Sequence, residues 1–106
     1  DSNFLLLYNI LKNKYRLERA LNGREAVELN ARLHPDLILM DIRMPEMDGL
    51  EATKNIRKTD SEVPIIILTA NAFDEDKEQA LKAGCSDYLA KPVNTAQLNE
   101  LLEKYI

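Results

Sequence analysis

Short apolar runs alternate with segments of helical periodicity along this chain. Residues 36–41 and 63–69 each contain an unbroken apolar run, at positions 37–40 and 63–68, a pattern typical of strands buried on both faces of a parallel sheet. A shorter run at residues 87–90 predicts a third strand. Residues 15–21 instead alternate polar and apolar side chains, which predicts an edge strand with one solvated face.

Helical segments lie between these runs, and capping residues predict where they begin. Three Asn or Asp residues each stand three positions before a carboxylate or amide side chain, which is the spacing of a capping box. The pairs are Asn22 with Glu25, Asp48 with Glu51, and Asn94 with Gln97. Gly84 follows the helical segment 74–83, where a left-handed helix end is expected. Apolar residues also share one helical face in the opening segment (Phe4, Leu7, Tyr8, Leu11) and in the last (Leu98, Leu101, Leu102, Tyr105).

This order of elements predicts an α/β fold. Strands that alternate with helices form a parallel sheet with right-handed crossovers, and the helices cover both faces. The pattern contains five helices but four strands, so the first helix has no strand before it. We therefore expect that one strand is missing at the front of the chain.

Composition limits the possible functions. A chain of 106 residues fits one compact domain. With 18 acidic and 14 basic residues, its net charge of -4 argues against nucleic acid or anionic membrane as the main partner. Cys85 is the only cysteine, and we interpret it as a small buried hydrophobic residue in a reducing cytosol. No apolar run is long enough to span a bilayer, so a cytoplasmic location is expected.

Candidate chemistry lies where three predicted strands end. Asp41, Thr69 and Lys91 each follow one of the apolar runs, and ligands of open parallel sheets bind beyond the carboxyl ends of the strands. A carboxylate can attack phosphorus, while an ammonium, a hydroxyl and a divalent cation can stabilise the oxygens of the transferred group. Each residue alone also has an ordinary structural explanation as a turn, strand or surface residue. Their occurrence at successive strand ends favours a functional site.

Three motifs resemble one protein family. Residues 37–49, Leu-Ile-Leu-Met-Asp-Ile-Arg-Met-Pro-Glu-Met-Asp-Gly, closely resemble the phosphoacceptor segment of response-regulator receiver domains. Residues 66–70 and 88–92 resemble the other two signatures of that family. The resemblance implies a CheY-like receiver domain over residues 1–106 with a three-layer, flavodoxin-like parallel sheet. Its strand order would be 2-1-3-4-5 with the first strand absent from the chain, so the domain would be incomplete at its N-terminus.

The resemblance also implies roles for individual residues. Asp41 would accept the phosphoryl group, and Lys91 would pair with a phosphoryl oxygen. Thr69 would be the switch hydroxyl that turns toward the phosphoryl group, and Tyr88 the aromatic residue whose ring then moves. Four further residues would shape the loops and the access to the site: Pro45, Gly49, Ala70 and Pro92. The peptide bond between Lys91 and Pro92 would be cis.

The implied cofactor is Mg²⁺. Its ligands would be the Asp41 carboxylate, the backbone carbonyl of Arg43 and an acidic pair at the end of the first strand. Asp1 resembles a position just after that pair, so the pair would lie upstream of the chain.

The implied function is signal transduction by phosphorelay. The domain would take its phosphoryl group from a phosphohistidine of a sensor histidine kinase or phosphotransfer protein. The fourth helix, fifth strand and fifth helix would then change conformation and contact an output domain or downstream protein. The domain would not be an enzyme beyond self-catalysed phosphotransfer and autodephosphorylation. Residues 69–72 and 84–88 are similar to receivers of hybrid histidine kinases, so the parent chain could be such a kinase, free or tethered to a membrane.

Two alternatives stay open from the sequence. An aspartyl phosphatase would use a similar sheet, but that chemistry typically needs a second acid two residues after the nucleophile, where this chain has Arg43. A receiver-like module that acts only through protein contacts would need no phosphorylation, and the missing acidic pair keeps this alternative open.

Overall fold

The computed structural model describes residues 9, 11–15, 18, 20–42, 47–69, 74–91 and 93–106. None of the helices in these ranges is long and apolar enough to span a membrane. Asn9 and Leu11 are helical, as the opening apolar pattern predicts, while residues 1–8 lie outside the described ranges. The elements in chain order are α1 (Gly23–Leu33), β1 (Ile38–Asp41), α2 (Gly49–Arg57), β2 (Ile65–Thr69), α3 (Asp74–Ala83), β3 (Asp87–Ala90) and α4 (Thr95–Tyr105).

The three described strands form a parallel sheet in the order β1-β2-β3. Ile38 pairs with Ile65 at one end of the β1–β2 ladder, and Asp41 pairs with Leu68 at the other. Thr69 pairs with Ala90 at the end of the β2–β3 ladder. These strands correspond to the last three of the order 2-1-3-4-5, so the predicted parallel α/β sheet is confirmed.

The predicted edge strand at residues 15–21 is wrong at the positions that the structure describes. Tyr15, Glu18, Ala20 and Leu21 lie in bends or irregular backbone, and residues 16, 17 and 19 are outside the described ranges. In the order 2-1-3-4-5 this strand would pair with the first strand alone, and the described sheet has no strand in that place. The alternating pattern correctly indicates that Ala20 faces the interior, because Ala20 packs against the core.

Local capping signals define three helix starts as predicted. The side chains of Asn22, Asp48 and Asn94 accept hydrogen bonds from the backbone N–H groups of Glu25 (2.9 Å), Glu51 (2.8 Å) and Gln97 (3.2 Å). Gly84 has the positive φ, 106°, expected after α3. The end of α1 has no such sequence signal, since its left-handed cap is the non-glycine residue His34, with φ of 48°.

The sheet is covered on both faces, and β2 is buried at all five of its positions. Ile65 and Ile67 face a layer that includes Ala26 of α1, Ile56 of α2 and Ala80 of α3. Ile66 and Leu68 face the opposite layer. That layer is completed by Leu11, Leu89, Leu98 and Leu102. The apolar run without alternation is thus explained by burial on both faces.

Cys85 lies in the first of these two layers, between α3 and β3. Its burial, together with the nearby charge of Asp87, raises the pKa of the thiol to about 11. The thiol therefore stays protonated at neutral pH and packs as a small apolar group, which confirms the prediction that this cysteine is buried.

Arg57 stabilises the turns at the amino edge of the sheet, where the strands begin. Its guanidinium donates to the carbonyl oxygens of Gly84 (2.7 Å) and Asp60 (3.1 Å) and to the hydroxyl oxygen of Ser86 (3.4 Å). The Asp60 carboxylate accepts hydrogen bonds from the N–H groups of Val63 and Glu62, both at 3.0 Å. These bonds lower the pKa of Asp60 below its ordinary value of 3.8. The turns at this edge are therefore held by side chains, while the opposite edge carries the candidate site.

Truncation of the central strand should cost much of the stability. Ile66 is fully buried, so Ile66→Ala should lower the free energy of unfolding by about 2–5 kcal/mol through lost burial and a residual cavity. Leu81, which is 53% exposed on α3, provides the control. Leu81→Ala should change the free energy of unfolding by less than about 0.5 kcal/mol. Urea unfolding monitored by circular dichroism measures both values, and equal losses for the two variants would contradict the assigned burial.

Asp60 should make stability depend on pH in the acid range. Because its folded pKa is lowered, its charged form stabilises the fold above the ordinary value of 3.8, and this contribution is lost as the pH falls through the lowered value. Wild type should therefore lose more stability than Asp60→Asn over that window, since Asn caps the turn without titrating. Urea unfolding at a series of pH values measures the difference. Parallel pH profiles of stability for the two proteins would show that protonation of Asp60 is not linked to unfolding.

Candidate functional site

An ion pair joins two strand ends at the carboxyl edge of the sheet. Asp41 is the last residue of β1, and Lys91 directly follows β3. The Lys91 Nζ lies 2.6 Å from Oδ2 of Asp41, a short charge-assisted hydrogen bond that spans the intervening strand β2. The side chains retain 19% (Lys91) and 30% (Asp41) of their exposure, so the carboxylate is partly accessible from solvent.

Thr69 ends the strand between them. Its residue is buried, and its carbonyl oxygen accepts the backbone N–H of Lys91 at 2.8 Å. The register puts Thr69 one position beyond Leu68, the partner of Asp41, and beside Ala90, which precedes Lys91. The structure therefore brings the three predicted strand-end residues to one edge of the sheet, as parallel pairing requires.

Two backbone hydrogen bonds fix Ile42, the residue after Asp41, to β2 and to the start of α2. Ile42 donates its N–H to the carbonyl oxygen of Leu68 (3.2 Å), and Gly49 donates to the carbonyl oxygen of Ile42 (2.8 Å). A side chain at Gly49 would overlap the carbonyl oxygen of Asp41, so only glycine fits there. The other predicted loop positions, Arg43, Pro45, Ala70 and Pro92, lie outside the described residues.

Tyr88 lies in β3, opposite Ile67 of β2, and is half-buried against the core layer of the first three helices. The Lys77 ammonium on α3 lies 5.0 Å from the centroid of its ring, within the range of a cation–π contact. No sequence pattern points to Lys77, because the contact depends on how α3 packs against β3. The aromatic ring that the sequence singles out is therefore in contact with a charge on the neighbouring helix.

The residues at this edge fit part of a Mg²⁺ site. Mg²⁺ prefers oxygen ligands, and the Asp41 carboxylate provides them where two strands end. Within the described ranges, no three His, Cys, Asp or Glu side chains are grouped so that they could hold a metal ion. A complete site therefore needs oxygen ligands in addition to Asp41.

The geometry suits nucleophilic attack by a carboxylate on a group that carries negative charge. The Asp41 oxygens are partly accessible, and a fixed ammonium lies beside them where the charge of an incoming group would have to be offset. Such catalysis consists mostly of positioning and charge neutralisation, which is how phosphoryl transfer is generally accelerated.

Comparison with known sequences identifies close relatives. The family model described as "Response regulator receiver domain" matches residues 2–103. Regulatory protein AtoC of Escherichia coli (strain K12) is 46% identical over 85 residues, which are 80% of this chain but 18% of AtoC. The polar-differentiation response regulator DivK of Brucella anthropi is 39% identical over 94 residues, 87% of this chain and 76% of DivK. The chain thus spans less than a fifth of AtoC and most of DivK.

Solved structures show the same fold. The receiver domain of sensor histidine kinase PA1611 from Pseudomonas aeruginosa PAO1, crystallised with a magnesium ion in its active site cleft, superposes with a TM-score of 0.90 at 41% identity. The match covers 98% of this chain and 88% of that one. The Saccharomyces cerevisiae co-crystal structure of the histidine phosphotransfer protein Ypd1 with the receiver domain of Ssk1 contains a chain that matches with a TM-score of 0.92 at 34% identity. This match covers 98% of this chain and 81% of that one.

The family model, the relatives and the solved structures agree with the parallel α/β sheet described above. The chain belongs to the response regulator receiver domain family, the phosphoacceptor domains of two-component phosphorelay systems.

Proposed function

We propose that Asp41 is the residue of this receiver domain that accepts the phosphoryl group. The observation that carries the proposal is the 2.6 Å contact between Lys91 Nζ and Asp41 Oδ2 at the carboxyl edge of the sheet. The donor is a phosphohistidine of a sensor histidine kinase or phosphotransfer protein. An Asp41 oxygen attacks phosphorus, the bond from phosphorus to the histidine nitrogen breaks, and that nitrogen takes up a proton. The product is an acyl phosphate on Asp41.

Lys91 offsets the charge that this reaction brings to the site. A phosphoryl group carries about -1.5 to -2 charges near neutral pH. The ammonium pairs with the carboxylate before transfer and is close enough to pair with a phosphoryl oxygen afterwards. Its low exposure strengthens both interactions, because fewer waters compete for the charge.

Mg²⁺ supplies further neutralisation of the transferred oxygens when it is bound. We assign its ligands to the Asp41 carboxylate, the backbone carbonyl of Arg43 and an acidic pair upstream of Asp1. This assignment is supported by the oxygen chemistry of Asp41 and by the magnesium ion in the cleft of the PA1611 receiver domain.

Phosphorylation would switch the surface formed by α3, β3 and α4. Thr69 lies at the end of β2, where its hydroxyl could turn toward a phosphoryl oxygen. Tyr88 on β3, with Lys77 against its ring, would then change position. An output domain or downstream protein would bind the altered surface, so phosphorylation shifts a two-state equilibrium.

The domain acts in the cytoplasm as a phosphoacceptor, with no catalysis beyond self-catalysed phosphotransfer and autodephosphorylation. The alternative of a receiver-like module without phosphorylation is not favoured. A pure contact module would not need a carboxylate, a hydroxyl and an ammonium together at the carboxyl edge.

Labelling of the full-length protein by acetyl phosphate tests the acceptor. We expect a gain of one phosphoryl group in the intact mass that depends on Mg²⁺ and disappears in Asp41→Asn. The matched control is Asp48→Asn, which removes a carboxylate seven positions away but keeps a good helix cap. That variant should be labelled like wild type. Labelling of Asp41→Asn at the wild-type rate would refute the assignment, and a folded wild type without labelling would favour the contact module.

Removal of the Lys91 charge should slow the transfer. Lys91→Met keeps most of the side-chain length but loses the ammonium, so the initial rate of labelling should fall by about 100-fold, the typical cost of one lost charge-stabilising donor. Lys104→Met is the control, because Lys104 also lies near an aspartate, Asp87 at 3.8 Å, but away from Asp41. Quenched time courses read by intact mass measure the rates. Similar rates for the two variants would show that Lys91 does not act on the transfer.

A further inference from the structure

The segment between β1 and α2 is fastened at both of its described ends. Its first residue, Ile42, is bonded to Leu68 and Gly49, as described above. Its other end is bonded outside the site, since the carbonyl oxygen of Met47 accepts the N–H of Gly23 at 2.9 Å. Residues 43–46, which lie outside the described ranges, connect these two ends.

Gly23 leaves no space for a side chain. A Cβ built on it would overlap the carbonyl oxygen of Met47 and would lie 2.8 Å from the carbonyl carbon and 2.9 Å from Cβ of the same residue. The φ angle of Gly23 is not in the positive range, in contrast to that of Gly84. Glycine is therefore required at position 23 by the approach of Met47 and not by backbone conformation.

The start of α1 is held independently of this contact. The Asn22 side chain accepts the N–H of Glu25 at 2.9 Å, and the Glu25 carboxylate accepts the N–H of Leu21 at 3.0 Å. The Gly23 N–H is one of the first-turn donors that have no partner within the helix. The start of α1 is thus held by its own capping bonds, and the free Gly23 N–H donates to the carbonyl oxygen of Met47.

Met47 is also held through its side chain. It packs against the core layer formed by the first three helices, and the Asn55 amide lies 3.7 Å from its sulfur. A new side chain at position 23 would therefore displace the Met47 backbone, because the Met47 side chain is confined on the other side and cannot move away freely.

We propose that Gly23 is a positioning residue for phosphorylation of Asp41, although it lies outside the site. Its N–H and its lack of a side chain fix the Met47 end of the segment that begins directly after β1. The inference rests on the proposed function, because that segment includes Arg43, whose carbonyl we assign to Mg²⁺. Displacement of a group by about 1 Å can cost about 100-fold in rate, and a methyl group at position 23 forces a shift of this order at Met47.

The test uses the full-length protein with two measurements. One is the initial rate of labelling by acetyl phosphate at saturating Mg²⁺, and the other is the Kd for Mg²⁺ from calorimetry without phosphodonor. Gly23→Ala should label at least about 10-fold more slowly than wild type and bind Mg²⁺ more weakly. The matched control is Asn22→Ala, which removes the cap of the same helix end without adding atoms beside Met47. It should lower the midpoint of thermal unfolding but change both measured values far less than Gly23→Ala does, because the Gly23–Met47 contact keeps its donor and its space.

Several outcomes would overturn the inference. One is a Gly23→Ala protein with the wild-type labelling rate and Kd for Mg²⁺. Another is an equal loss of labelling rate in Gly23→Ala and Asn22→Ala, which would show that the effect comes from the stability of the helix alone. If Gly23→Ala does not fold, an ester in place of the Gly23 amide removes the donor without adding bulk. Slower labelling of that folded protein supports the inference, and a wild-type rate refutes it. A wild type that is never labelled refutes the proposed function itself.

Discussion

Burial of β2 on both faces is the constraint on which the rest of this structure depends. All five of its residues are enclosed, so two apolar layers must be built around it and both of its edges must be paired. Parallel pairing with β1 and β3 then places the three carboxyl ends side by side. Asp41 and Lys91 come together across β2 because the strands that carry them pair with it. The 2.6 Å contact between them follows from this pairing and requires no further structural element.

The sequence was sufficient where the signal is local or strictly periodic. Capping at Asn22, Asp48 and Asn94 depends on residues three positions apart, and the observed hydrogen bonds have that spacing. The apolar runs gave β1, β2 and β3, because a strand buried on both faces has no polar position. Once those strands were expected to be parallel, the meeting of Asp41, Thr69 and Lys91 at one edge followed. The roles of these three residues stay predictions, since they depend on chemistry that geometry alone does not test.

The sequence was insufficient where a contact joins distant segments. Lys77 over the Tyr88 ring, Arg57 on the turn before β3, and Gly23 against Met47 each depend on how two elements pack, and none has a spacing rule. The prediction for residues 15–21 failed for a related reason, because alternation describes a surface with two different faces and does not specify a strand partner. The glycine at position 23 illustrates the point, since its sequence context, a helix start, would accept many residues.

The Arg57 anchor has a consequence for how motion is distributed in the domain. Two of its hydrogen bonds, to the Gly84 carbonyl and the Ser86 hydroxyl, tie the end of α2 to the turn before β3 at the edge opposite Asp41. The third holds the turn before β2 through the Asp60 carbonyl. Rearrangement at the carboxyl edge can then occur as bending of the strands about a fixed base, with the largest displacements at the strand ends. We therefore expect the amino edge to move less than the carboxyl edge, and amide protons of its turns to exchange more slowly than those of turns without side-chain bonds.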